Sequence, residues 1–185
     1  MARHEGRGLL RRRFERGPVL KRLRDQVFKL TTKVLDPTHF DVEFVDDIRD
    51  AQSEVIIYCP FTNAKRVGWF IGRKEFKDAI NRGVSIKLVT RKPEQRRVRN
   101  PKEHKENINR LQREGVSVYV RDWIHCKGVI IDRKIVYLGS MNILYEPGHE
   151  EDYMVRFVSE ALADEVLETV GEPTDEELVK PESYN

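Results

Sequence analysis

At 185 residues, 39% of them hydrophobic and 35% charged, the chain suits one domain with a real core, and it holds no run of about 18 apolar residues that could span a bilayer. Its two cysteines, Cys59 and Cys126, lie far apart without metal-ligand spacing, so neither a disulfide framework nor a zinc site is indicated. The net charge of +3 is uninformative, but its distribution is not: arginine dominates the first two dozen residues, a second basic run spans Arg91 to Lys105, and the chain from Glu146 onward is acidic, an asymmetry that suits a polyanion partner near the basic segments.

Met1 to about Pro37 is basic. Within it Val19, Leu20, Leu23, Val27, Phe28 and Leu30 are spaced for an amphipathic helix with a basic opposite face, and the arginines precede no apolar stretch of the kind a secretory signal needs. A cytoplasmic protein is expected. Pro37 in "DPTHF" is read as a chain break. An alternation follows. "DVEFVDDIRDA" predicts a helix with Phe44, Val45, Ile48 and Ala51 on one face, and "EVIIYCPF" a buried strand stopped by Pro60.

"RKEFKDAINRG" predicts a helix ended by Gly83, and "SIKLV" a strand. "NPKEHKENINRLQREG" carries helix end signals: Asn100 as cap, Pro101 in the first turn, Glu103 for a capping box, Gly115 as stop. "SVYV", "IHCKGVII", "KIVYLG" and "DYMVRFV" read as strands, the middle two joined at Asp132 and Arg133. "SEALADEVLETVG" reads as a helix, and residues 172–185 as an acidic, mobile tail. Alternating strands and helices followed by a strand cluster predict an α/β sandwich with a mixed sheet. The domain is expected over residues 38–171.

The stretch "WIHCKGVIID" holds the chemistry. Strand alternation puts His125 and Lys127 on one face and Cys126 on the other, with roughly 6–7 Å between the two Cα atoms, so both can touch one phosphate. Asp132 lies at odd spacing, where the strand ends. In "LGSMN", Gly139 permits an unusual turn while Ser140 and Asn142 offer donors to an anion. "GHEED" sets Glu150 and Glu151 before the next strand, where an acid can orient a histidine. Packing accounts for Cys126 and Cys59, and core or rim packing for Trp123 and Tyr145.

These residues resemble the signature of the phospholipase D superfamily. His125, Lys127 and Asp132 fit H-x-K-x4-D, and Gly139, Ser140 and Asn142 fit the G-[ST]-x-N after it. The resemblance covers about Asp41 to Val170 and implies a phospholipase D-like α-β-α sandwich. Aligning "EDYMVRF" by its strand favours Glu151 over Glu150 as the family's acid. Only one such motif is present, which resembles the short, Nuc-like endonucleases that complete their site by homodimerising through the active-site face.

The resemblance implies a phosphodiesterase that needs no metal or other cofactor. His125 would form a phosphohistidine, the second copy's His125 would handle the leaving-group proton, and Lys127, Asn142 and Ser140 would balance charge, with Glu151 orienting the imidazole. Asp132 fits the signature and equally a structural turn. The basic runs tilt the substrate toward DNA or RNA, with Arg11, Arg12, Arg13, Arg91, Lys92, Arg96, Arg97 and Arg99 as backbone ligands. The alternatives are a lipid phosphodiesterase or phosphatidyltransferase and a non-catalytic binding module. The N-terminal basic helix is open to docking on a larger DNA-processing partner.

Overall fold

The computed structural model describes residues 31–145, 151–181 and 183–184. The expected helix over Val19–Leu30 and the basic residues Arg11, Arg12 and Arg13 lie outside the described residues. In chain order the elements are β1 (Thr32–Leu35), α1 (Pro37–Asp50), β2 (Glu54–Tyr58), α2 (Ala64–Ile71), α3 (Lys74–Asn81), β3 (Ser85–Arg91) and α4 (Pro101–Arg113). Then come β4 (Ser117–Arg121), β5 (Gly128–Ile131), β6 (Ile135–Gly139), β7 (Met154–Val158), α5 (Glu160–Val170) and a 3-10 turn (Asp175–Glu177).

The seven strands form one sheet in the order β1-β7-β6-β5-β2-β3-β4. β2, β3 and β4 are parallel, and the remaining pairs are antiparallel. Alternation along β2 feeds two cores. Val55 and Ile57 face a layer with Phe40, Phe44, Phe70, Phe76, Ile108 and Leu111 from α1 to α4. Ile56 and Tyr58 face the opposite layer with Ala163, Val166 and Leu167 of α5. Each fully buried Phe or Ile contributes roughly 1.5–3 kcal/mol. The expected α-β-α sandwich with a mixed sheet is what the chain forms.

Several boundaries differ from the sequence reading. Pro37 opens α1 instead of breaking the chain, because Asp36 caps the helix by accepting from the His39 amide and proline is tolerated in a first turn. The sheet takes in residues ahead of the expected domain start at 38. Thr32–Leu35 pairs with β7 as an edge strand. α2 went unpredicted, although Asn63 caps it by accepting from the Arg66 amide. The segment after α5, read as a mobile tail, packs on β4: the Val179 amide donates to the Val118 carbonyl at 2.8 Å, and Arg121 holds Glu177 at 2.6 Å. The predicted capping box of α4 forms by half. Asn100 accepts from the Glu103 amide, whereas the Glu103 carboxylate accepts from the Asn100 side-chain amide at 3.1 Å and the Ala64 amide at 2.8 Å.

Candidate active site

Sheet polarity decides which loops meet. The C-terminal ends of β2, β3 and β4 lie at the same edge as the start of β5, since Tyr58 pairs with Gly128, and as the end of β6, since Gly128 pairs with Leu138. Gly139 pairs with Met154, so the start of β7 joins them. One edge therefore gathers the loops carrying Phe61–Asn63, Lys92–Asn100, Asp122–Lys127, Ser140–Asn142 and Asp152. Loops at the C-terminal ends of parallel strands are where α/β sheets place their ligands.

His125, Cys126 and Lys127 are not part of a strand. They form the lead-in to β5, which starts only at Gly128. The expected alternation still holds there. Lys127 Nζ lies 3.4 Å from His125 Nε2 and donates to the His125 carbonyl at 3.1 Å, while Cys126 packs against the α5-side core. The Lys127 charge, followed by partial burial and by Arg91 and Arg97, lowers the His125 pKa below its ordinary 6.5. Burial lowers the Lys127 pKa and Arg91 adds to this, while nearby thiols and Asp152 act in the opposite sense. An exposed imidazole kept neutral beside a half-buried ammonium is suited to attack an electrophile whose negative oxygens the ammonium receives.

Gly139 is required for a reason other than the expected turn. A Cβ there would lie 2.1 Å from the Tyr153 carbonyl oxygen and 2.9 Å from Met154 Cα. The close approach lets the Ser140 amide donate to the Tyr153 carbonyl at 3.0 Å. Ser140 Oγ then donates to Asp152 Oδ1 at 2.6 Å and accepts from the Tyr153 amide at 3.1 Å.

The acid that receives the Ser140 hydroxyl is Asp152. Glu151, the residue expected there, is exposed and does not line the cleft beside the motif. With three consecutive acids before β7, a one-residue offset in aligning that strand moves the choice from one to the next.

A cleft of about 660 Å³ opens at this edge. Ser140, Asn142, Asp152, Arg97, Arg99 and His104 line it, with Phe61 and Tyr145. His125 and Lys127 do not line the cleft, but each senses charge from its walls, His125 from Arg97 and Lys127 from Asp152. Asn142 Oδ1 is buried without a hydrogen-bond partner among the described residues. Among the described residues no cluster of three or more His, Cys, Asp or Glu side chains is spaced for a metal ion.

Asp132 is at the opposite edge. It follows β5 and sits beside the start of β2, so the length of β5, roughly 13 Å at 3.3 Å per residue, separates it from this site. Its carboxylate accepts from the amides of Gln52, Ser53 and Glu54 and from Ser53 Oγ, at 2.8–3.0 Å. Burial pushes its pKa up, but those donors outweigh it and the net shift is downward. Its place in the signature reflects turn geometry, with Asp132 and Arg133 both left-handed (φ 51 and 50).

Of the basic run, Arg97 and Arg99 line the cleft, and Lys92 and Arg96 are exposed. Arg91 is not a surface ligand. It is 1% exposed, donates from Nε to the Ile124 carbonyl at 2.8 Å, and lies 5.0 Å from the Phe61 ring centroid. Its Nη1 is buried without a partner. It ends β3 on the face it shares with Val89, which packs in the α5-side core, a signal the basic composition masks.

His104 of α4 is also interior. It is 1% exposed, and burial holds its pKa below 6.5. Neutral, it donates from Nε2 to the Arg91 carbonyl (3.1 Å) and accepts at Nδ1 from the Thr62 hydroxyl (2.8 Å). Trp123, expected to pack, is 65% exposed and left-handed (φ 58), a conformation that costs an L-residue roughly 1–2 kcal/mol.

The model of the family described as "Cardiolipin synthase, PLD-like domain" matches residues 44–170. The chain belongs to this family, and with it to the phospholipase D superfamily of phosphodiesterases. No match is found among curated protein sequences. Three solved structures are similar in fold. Nuc from Salmonella typhimurium, a phospholipase D family member, is 20% identical, with 75% of this chain and 91% of that one covered at a TM-score of 0.55. NucT from Helicobacter pylori is 14% identical, with 80% and 97% covered at 0.54. Phosphatidylserine synthase from Haemophilus influenzae Rd KW20 is 14% identical, with 83% and 43% covered at 0.53.

Proposed function

We propose that the protein hydrolyses phosphodiester bonds of nucleic acid, without a metal, in a site completed by a second copy of the chain. His125 Nε2 attacks phosphorus, forming a P–N bond as the P–O bond to the leaving group breaks. The two copies' His125 rings share one proton, and the second copy's ring, holding it, gives it to the leaving oxygen. The same ring then takes a proton from water as that water displaces His125 and the P–N bond breaks. Lys127 balances charge on the non-bridging oxygens. Asp152 fixes Ser140 and supports the charged form of Lys127.

The observation that carries the reading is the convergence of His125, Lys127, Ser140, Asn142 and Asp152 on one sheet edge, beside a cleft walled by Arg97 and Arg99. The second copy is invoked because the proposed mechanism uses two histidines. Among the described residues, His104 is the other one at this edge, and both its nitrogens are engaged in the interior. It cannot trade protons with a substrate. Arginines on the wall and on the adjoining loop suit a polyanionic backbone.

The description of the family favours a second reading, transfer or hydrolysis of lipid phosphodiesters. Among the described residues no helix is long and apolar enough to cross a membrane. A panel of single-stranded DNA, RNA and phosphatidylcholine vesicles, with His125→Ala as control, separates the two. Nucleic-acid cleavage that persists in EDTA and is lost in the variant supports the proposal. Turnover of vesicles alone overturns it. Light scattering should return twice the chain mass, and full activity in a monomer contradicts the shared site.

A further inference from the structure

Trp123 stands apart from the chemistry described so far. It follows β4 at the edge carrying His125, two residues ahead of that histidine. Its indole is 65% exposed, yet its backbone is held in the left-handed region where bulky residues are rare. Nothing inside the molecule rewards that conformation through burial.

The conformation is nevertheless clamped. The Trp123 amide donates to Gln95 Oε1 at 3.4 Å, and the preceding Asp122 accepts from Gln95 Nε2 at 2.6 Å and pairs with Lys92 Nζ at 3.2 Å. The basic loop after β3 thus fixes the turn that displays the indole. An exposed aromatic on a turn that is already hydrogen-bonded in place presents an apolar face at a smaller ordering cost on binding.

The neighbourhood decides what that ligand is. Lys92 and Gln95, which hold the turn, and the flanking residues Asp122 and His125 are polar or charged. The other large exposed hydrophobics, Val34, Val42, Tyr153 and Leu178, belong to other segments. A single indole on a turn bonded to the basic loop is poorly built for a lipid surface, which rewards contiguous apolar area. It matches a strand whose phosphates meet Lys and Arg while its bases stack on an aromatic face.

We infer that Trp123 is a stacking platform for an unpaired nucleobase next to the scissile phosphate, which makes single-stranded nucleic acid, or a frayed end, the preferred substrate. The inference rests on the nucleic-acid reading above. A base within a duplex keeps both faces covered by its neighbours and gains little from the indole.

Binding is measured without turnover, in full-length protein carrying His125→Ala. Anisotropy of a labelled single-stranded oligonucleotide should show Trp123→Ala weakening affinity roughly 5- to 100-fold, with Trp123→Phe largely retaining it. A blunt duplex of equal length should change far less. In a Trp69→Phe background, single strands should quench the remaining indole emission. Unchanged single-strand affinity in Trp123→Ala overturns the inference, as does equal loss on both nucleic acids or a fall to monomer mass in light scattering. If the parent protein binds no oligonucleotide and turns over only vesicles, the nucleic-acid reading itself fails. Intact oligonucleotide binding that ignores Trp123 sinks the platform alone.

Discussion

Arg91 Nε donates to the main-chain carbonyl of Ile124 at 2.8 Å, tying the end of β3 to the residue just before His125. The guanidinium also lies over the Phe61 ring, and its own carbonyl receives the His104 proton. A lysine can supply neither the planar stack nor the fixed Nε direction. Arg91→Lys is therefore expected to lower turnover of a small diester such as bis(p-nitrophenyl) phosphate about 10- to 100-fold through displacement of His125. The measurement is kcat alongside thermal unfolding. A large loss of Tm with the turnover of the remaining folded protein unchanged would assign Arg91 to stability alone.

The proximity of Lys127 to His125 makes a prediction about protonation. The ammonium and the partial burial both disfavour imidazolium, so the ring stays neutral to a pH below the ordinary 6.5. As pH falls through that lowered value the nucleophile is lost, and rate falls with it. NMR titration of the His125 ring protons should give a midpoint below 6.5, and Lys127→Met should move it upward. A midpoint at or above 6.5 in the unaltered protein contradicts the assigned electrostatics.

Asp132 belongs to the signature by spacing and to the scaffold by position. Its carboxylate gathers three amides and a hydroxyl at the entry to β2. Replacement by alanine leaves those donors unmatched and removes a side chain that tolerates positive φ. The expected cost is about 2 kcal/mol of stability, seen as a lower denaturant midpoint, with turnover per folded molecule retained. Lost turnover at undiminished stability would return Asp132 to the chemistry.

The two acids before β7 separate by what they touch. Asp152 receives the Ser140 hydroxyl and supports the Lys127 charge, whereas Glu151 is exposed. Asp152→Asn should depress kcat, roughly tenfold or more for loss of a positioned charge, and Glu151→Gln should not. Steady-state kinetics of the pair, side by side, test the assignment, and the reverse pattern restores the acid chosen from sequence.

Much of this was legible in the chain, and for physical reasons. Continuous apolar runs such as "EVIIY" and capped helices such as that from Asn100 to Gly115 encode their structure locally, so the sandwich and its sheet followed. The spacing of His125, Lys127, Ser140 and Asn142 is also local, and the fold brings those four to one edge. What escaped were properties set by tertiary contacts. Whether Arg91 reaches solvent or supports Ile124 depends on how the next two strands close over it. Whether Glu151 or Asp152 faces Ser140 depends on a one-residue register. Likewise Asp47 reads as part of a polar helix face, yet it is buried beneath Tyr137 and Arg156, with both carboxylate oxygens 2.7 Å from the Arg156 guanidinium.

The central claim is that the His125 imidazole displaces the leaving oxygen at phosphorus, and trapping the covalent species tests it most directly. Unaltered protein mixed with an end-labelled single-stranded oligonucleotide and quenched in alkali should carry label on His125 through an acid-labile P–N bond. His125→Ala should carry none and turn over at least 10²- to 10⁴-fold more slowly. Undiminished turnover in His125→Ala, or label captured on another residue, would contradict the account.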